Sequence, residues 1–125
     1  MSSPTQRSLA LLRAEGWTVA IVEKWNPHAR IRQDLFGCID LLAIKPGCKP
    51  LGIQACAGAS HAARRTKSIA EPRLLTWLAA GCDFEVWSWS KRGPRGKRKL
   101  WEVRREVLTG VEVVNEKSAA ETAAA

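Results

Sequence analysis

Two polar residues stand where an apolar run should exclude them. Asp40 interrupts Cys38-Ile39-Asp40-Leu41-Leu42-Ala43-Ile44, and Gln54 interrupts Leu51-Gly52-Ile53-Gln54-Ala55-Cys56. A buried, unpartnered carboxylate costs several kcal/mol, so an acid in such a place needs a compensating group. Side chains alternate along a strand, which puts Gln54 and Cys56 on one face and Ile53 and Ala55 on the other. If the two runs pair as neighbouring strands, Asp40 and Gln54 emerge side by side at one end of a sheet. A carboxylate beside a carboxamide oxygen and a main-chain carbonyl suits a hard cation, because Mg²⁺ takes oxygen ligands and keeps several waters. The structural alternative is an Asp that caps the Phe36-Gly37 turn and a Gln that satisfies a sheet edge.

Charge is the second signal. Twenty Lys and Arg against twelve Asp and Glu give a net charge of +8, a surplus on a small chain that suits a polyanion. The cations are clustered: Arg30 and Arg32; Arg64, Arg65 and Lys67; and Lys91, Arg92, Arg95, Lys97, Arg98 and Lys99. The last group occupies a Gly- and Pro-containing loop, and a turn needs no such number of cations, whereas phosphate contacts do. Cys38, Cys48, Cys56 and Cys82 have no Cys-x-x-Cys spacing and read as buried thiols, not as a zinc site or disulfide framework. His28 and His61 have no second ligand at metal spacing. Of the six Trp, only Trp25, beside Asn26-Pro27, is placed to stack on a base; Trp77, Trp87, Trp89 and Trp101 read as core.

These residues must be positioned by a mixed α/β domain. Ser3-Pro4 opens a helix over about 4–15, closed by Gly16. Strands are expected over Trp17–Trp25, Cys38–Ile44 and Leu51–Cys56. From Ser60 the pattern is helical, kinked or split at Pro72 and ended by Gly81. Phe84–Trp89 and Leu100–Val103 form a terminal hairpin around the basic loop. One domain is expected over 1–114, with a disordered Ala-rich tail at 115–125. No apolar run approaches the roughly 18 residues of a membrane span, and Met1–Arg7 lacks a signal-peptide pattern, so the expected location is the cytoplasm.

This order, helix, three-stranded meander, helix, terminal hairpin, resembles the PD-(D/E)XK nuclease superfamily, the restriction-endonuclease-like fold that includes Holliday-junction resolvases and virus-type replication-repair nucleases. The resembling stretch runs from about Ser8 to Glu106. Asp40 falls on the superfamily's strand-two Asp, and Gln54-Ala55-Cys56 falls on its acid-spacer-Lys triplet. The resemblance implies a DNA endonuclease using Mg²⁺ or Mn²⁺, with Asp40 and Gln54 as metal ligands, Gln54 through its amide oxygen. It also implies a further acid, for which Glu15, Glu23 and Asp34 are available and Glu23 or Asp34 is preferred. Two departures follow. Gln54 brings no charge to the metal, and Cys56 cannot supply the cation that the Lys contributes, which leaves Lys67 or Arg64 of the next helix to do so. A catalytically inactive DNA-binding module is therefore the competing expectation, and a homodimer is attractive because cutting two strands calls for two single-site subunits.

Overall fold

Ser3 caps the first helix by accepting a hydrogen bond from Gln6 N at 3.1 Å, and Pro4 occupies the first turn, where its missing N–H costs nothing. The computed structural model describes residues 2–124, and of 120–124 the backbone alone. Helix α1 (Pro4–Ala14) is followed by strands β1 (Thr18–Ile21), β2 (Lys24–Asn26), β3 (Ile31–Gln33), β4 (Leu41–Ile44) and β5 (Leu51–Ala57). Helices α2 (His61–Ala70) and α3 (Pro72–Ala79) lead to β6 (Asp83–Arg92), β7 (Leu100–Val107) and α4 (Gly110–Ala124). Pro72 separates α2 from α3 because it cannot donate within a continuous helix.

The five-stranded sheet has the order β1-β4-β5-β6-β7, antiparallel except for the central β5/β6 pair, which is parallel. Parallel neighbours need a crossover, and α2 and α3 supply it. Strand β5 is buried from Leu51 to Cys56, as a central strand covered on both faces must be. Leu12 of α1 packs with Leu41, Ala43, Leu51, Ile53 and Trp87 on one face. On the other, Cys56, Phe84 and Val86 pack with Ile69, Leu74, Leu108 and Val113 beneath α2, α3 and α4. The chain is thus an α/β domain with helices on both sides of a mixed sheet.

Several boundaries differ from the sequence expectation. The strand expected over Trp17–Trp25 is two strands, because the chain leaves the main sheet after Val22 and pairs β2 with β3 in a separate hairpin, Trp25 opposite Arg32. The meander β1-β4-β5 is therefore interrupted by an excursion that periodicity could not reveal in three-residue strands. The terminal hairpin is longer than expected, reaching Lys91↔Trp101 and Arg92↔Leu100. Of the segment 115–125 expected to be a disordered tail, residues 115–124 continue α4, and 125 lies outside the described residues. Trp101 is not core: it is exposed on β7, with the Arg7 guanidinium 3.6 Å from its ring centroid. Cys48 is exposed, whereas Cys38 and Cys56 are buried.

The crossover is clamped to the sheet by polar contacts. His61 is buried and bonds through Nδ1 to Ser88 Oγ at 2.6 Å and through Nε2 to Glu106 Oε1 at 2.7 Å. Arg65 joins Glu106 (Nε to Oε2, 2.6 Å) and Glu116 of α4 (Nη1 to Oε2, 2.7 Å). His61→Ala leaves Ser88 without its side-chain partner, and the expected loss is about 1–3 kcal/mol of unfolding free energy. Urea titration measures it; an unchanged midpoint would show that the clamp contributes nothing.

Candidate metal centre

The acids are assembled by main-chain geometry. Leu35 and Ile39 form an antiparallel bridge, exchanging hydrogen bonds of 2.9 and 3.0 Å across a tight turn. Asp34 precedes the first bridge residue and Asp40 follows the second, so the spacing of six residues places the two carboxyl groups as cross-strand neighbours. The turn requires left-handed backbone at Phe36 (φ 52°) and Gly37 (φ 76°). Asp40 does not lie within a strand as expected; it is the residue immediately before β4, tied to β5 by its N–H to Ile53 O at 2.8 Å. Its carbonyl accepts from Val22 N at 2.9 Å, which delivers the following residue, Glu23, to the same place. Carboxylate oxygens of Glu23, Asp34 and Asp40 all lie within 4.8 Å of one another.

Asp40 is 3% exposed and accepts from Ala55 N at 2.9 Å and from the Gln54 carboxamide nitrogen. The nitrogen, not the oxygen, of Gln54 faces the acids, so the expectation of Gln54 as an oxygen ligand is corrected here to a donor. Its Oε1 is buried without a hydrogen-bond partner. With carboxylates for neighbours, a carboxamide gains by offering N–H; only a cation among them would favour the oxygen. The three carboxylates form an oxygen donor set that fits Mg²⁺ or Mn²⁺, to which a rotated Gln54 carboxamide would add the oxygen now left without a partner.

Helix α2 supplies cations. Lys67 Nζ is 3.1 Å from Asp34 Oδ2, and Arg64, one turn earlier, lines the same cavity as Glu23, Arg32, Asp34, Asp40 and Cys56. Arg32 pairs with Glu23 at 3.0 Å. Arg64 and Arg32 thus remain at the mouth of the site, but Arg65, expected to touch DNA, is turned away into its ion pairs with Glu106 and Glu116. Arg30 is exposed just before β3, and Glu15 is distant, paired with Arg105 at 2.6 Å. The loop cations Lys91, Arg92, Arg95, Lys97, Arg98 and Lys99 are all exposed. Because β5 and β6 run parallel with Ala57 opposite Trp89, the basic tip projects beyond the same end of the sheet that carries the acids. Among the described residues, these acids are the one group of three or more His, Cys, Asp and Glu side chains close enough to share an ion.

The Ser88-His61-Glu106 chain is what sequence reading missed, since 27 and 45 residues separate its pairs. Ser88 is buried and Glu106 is held by Arg65, so the chain is a clamp and not an exposed nucleophile. Comparison of the chain with protein-family models, curated proteins and solved structures finds no match. No helix of the described residues is long and apolar enough to cross a membrane.

Burial, together with the hydrogen bond and charge of Asp34, pushes the Asp40 carboxyl up to about 8, against the pull of the Ala55 N–H. Asp34 is held below its ordinary value: burial pushes it up, but hydrogen bonds from Asp40, Lys67 and Gln54 outweigh this. The two acids thus hold one proton between them. From about pH 4 to about pH 8 the folded metal-free protein keeps a proton that the unfolded chain has released, so its stability falls as pH rises through that window. Melting temperature in chelator should decline over this range, and Asp40→Asn should flatten the decline. A parent profile that rises from pH 5 to 8 would contradict a shared proton.

Proposed function

We propose that this chain is a metal-dependent endonuclease that hydrolyses DNA phosphodiester bonds, with Glu23, Asp34 and Asp40 as the ligands of Mg²⁺ or Mn²⁺. The observation that carries this reading is the convergence of three carboxylates beside Lys67, Arg64 and Arg32, at the end of the sheet from which the basic hairpin projects. An acidic centre in a basic surround suits a substrate that brings its own negative charge to a cation. When bound, such an ion supplies an activated water and counter-charge for the scissile phosphate. Arg64 and Arg32 orient the strand through its phosphates, and Lys67 holds Asp34 ionised. The loop cations hold flanking phosphates, fixing register without reading bases. Two copies would cut two strands.

The second reading, a DNA-binding module without catalysis, is favoured by Gln54 and Cys56. The thiol stands where the resemblance implies Lys, and burial raises its pKa, against the pull of Arg64, so it carries neither sign of charge at neutral pH.

Cleavage assays on supercoiled, linear, single-stranded and branched DNA, with and without Mg²⁺ or Mn²⁺, separate the two readings. Asp40→Asn should abolish metal-dependent cleavage while keeping DNA affinity, because it removes the anchoring charge at constant volume. Strong cleavage by Asp40→Asn would sink the assignment. An inert parent that gains activity as the Gln54→Glu, Cys56→Lys double variant would establish the binding module. Neutralising Arg95, Lys97, Arg98 and Lys99 should flatten the slope of log affinity against log salt by about 3–4 if all four meet phosphates. An unchanged slope in anisotropy titrations would remove the loop from the interface.

A further inference from the structure

A second concavity adjoins the metal centre. Phe36, Arg73, Thr76, Trp77, Ala80 and Cys82 line an apolar cleft of about 350 Å³, within the size range of small-ligand sites. The rings of Phe36 and Trp77 stand 6.3 Å apart at 50°. Between this cleft and the acids lies a polar depression lined by Arg32, Asp34, Lys67 and Arg73, so Arg73 belongs to both depression and cleft, and Arg32, Asp34 and Lys67 belong to both depression and metal centre. The three concavities adjoin one another through these shared residues, with Arg32, Lys67 and Arg73 along them, each exposed while paired with one carboxylate (Glu23, Asp34 and Glu71), and the aromatic rings at the far end.

Phe36 is the unusual residue. It holds φ 52° at the turn that pairs Asp34 with Asp40, a conformation that Gly or Asn adopts readily and that costs a bulky residue on the order of 1–3 kcal/mol. Burial does not explain the choice, for Phe36 is 41% exposed. An exposed aromatic maintained against backbone preference, facing a second aromatic and next to Arg73, offers a flat apolar surface close to cations.

Resting on the nuclease reading, we propose that this cleft receives one unstacked base of a single-stranded segment whose neighbouring phosphates lie along Arg73, Lys67 and Arg32 toward the acids. The chemistry is that of other single-strand sites, a cationic track for the backbone with aromatic faces for the bases. A base within an intact duplex is stacked on both sides and cannot enter. The substrate class is therefore DNA with a single-stranded or frayed segment beside the cut, and Phe36 and Trp77 are its specificity residues.

The test measures binding in chelator, so that its outcome does not depend on cleavage. Fluorescence anisotropy compares a labelled oligothymidylate, the same strand with its bases replaced by abasic sites, and a blunt duplex. The base-bearing strand should bind about tenfold more tightly than the abasic strand of equal charge. Phe36→Asn, which suits the left-handed backbone, should melt no lower than the parent, abolish most of that difference and leave duplex affinity unchanged. Equal affinity for the two strands, or a difference that survives Phe36→Asn, would overturn the proposal while leaving phosphate binding and the metal centre in place. Binding to none of the three would overturn the nucleic-acid reading and this inference together, whereas base-dependent binding without Mn²⁺-dependent cleavage would support the cleft and remove only the catalysis.

Discussion

Two carboxyl groups brought together out of water repel each other, and neither ionises freely unless something positive or proton-donating stands nearby. Asp34 and Asp40 are in that position because the Leu35–Ile39 bridge leaves them facing each other. The surrounding structure compensates their proximity with donors: Ala55 N–H, the Gln54 carboxamide and Lys67. Even so, Asp40 keeps its proton to about pH 8 and Gln54 Oε1 lacks a partner. Interiors seldom leave a polar atom unsatisfied without a functional reason. A divalent cation would displace the shared proton and favour rotation of the Gln54 carboxamide, which would turn the orphaned oxygen toward the ion.

The same constraint explains the turn. Three residues connect Leu35 to Ile39 with Asp34 against Asp40, and two of them in succession, Phe36 and Gly37, adopt positive φ. A Cβ on Gly37 would come within 2.8 Å of Glu71 Oε1, so the turn is also pressed against the junction between α2 and α3. The acids are thereby fixed to the helix pair that carries Lys67 and Arg73, and local backbone strain at the turn is tied to the geometry of the site.

Much of this was legible in the chain and some was not, for definite reasons. Asp40 and Gln54 announced themselves because each breaks a long apolar run, and Pro72 and the Gly/Pro loop marked the helix break and the hairpin. Glu23 and Asp34 could be shortlisted but not combined, since their convergence depends on the β2-β3 excursion, whose strands are three residues long and carry no readable period. Arg65 looked like its neighbours Arg64 and Lys67, yet helical geometry turns it toward Glu106 and Glu116. His61 and Ser88 gave no signal because their meeting depends on how the crossover docks on β6. What stays hidden in a single chain is the partner of each polar side chain; what shows is the presence of one that needs a partner.

The parallel pairing of β5 with β6 connects these features. It forces the chain to cross over the sheet, and the crossover helix comes to rest with Lys67 on Asp34 and Arg64 beside Cys56. It also brings the ends of both strands to one edge, where ligands of open α/β sheets commonly bind. Had β6 run antiparallel to β5, its hairpin tip would lie at the opposite end from the acids, and no rearrangement of side chains would restore a continuous basic surround. Lys67 and Arg64 of the crossover helix thus stand beside Asp34 and Cys56, so this topology brings cations to the acids from α2 although β5 itself carries none.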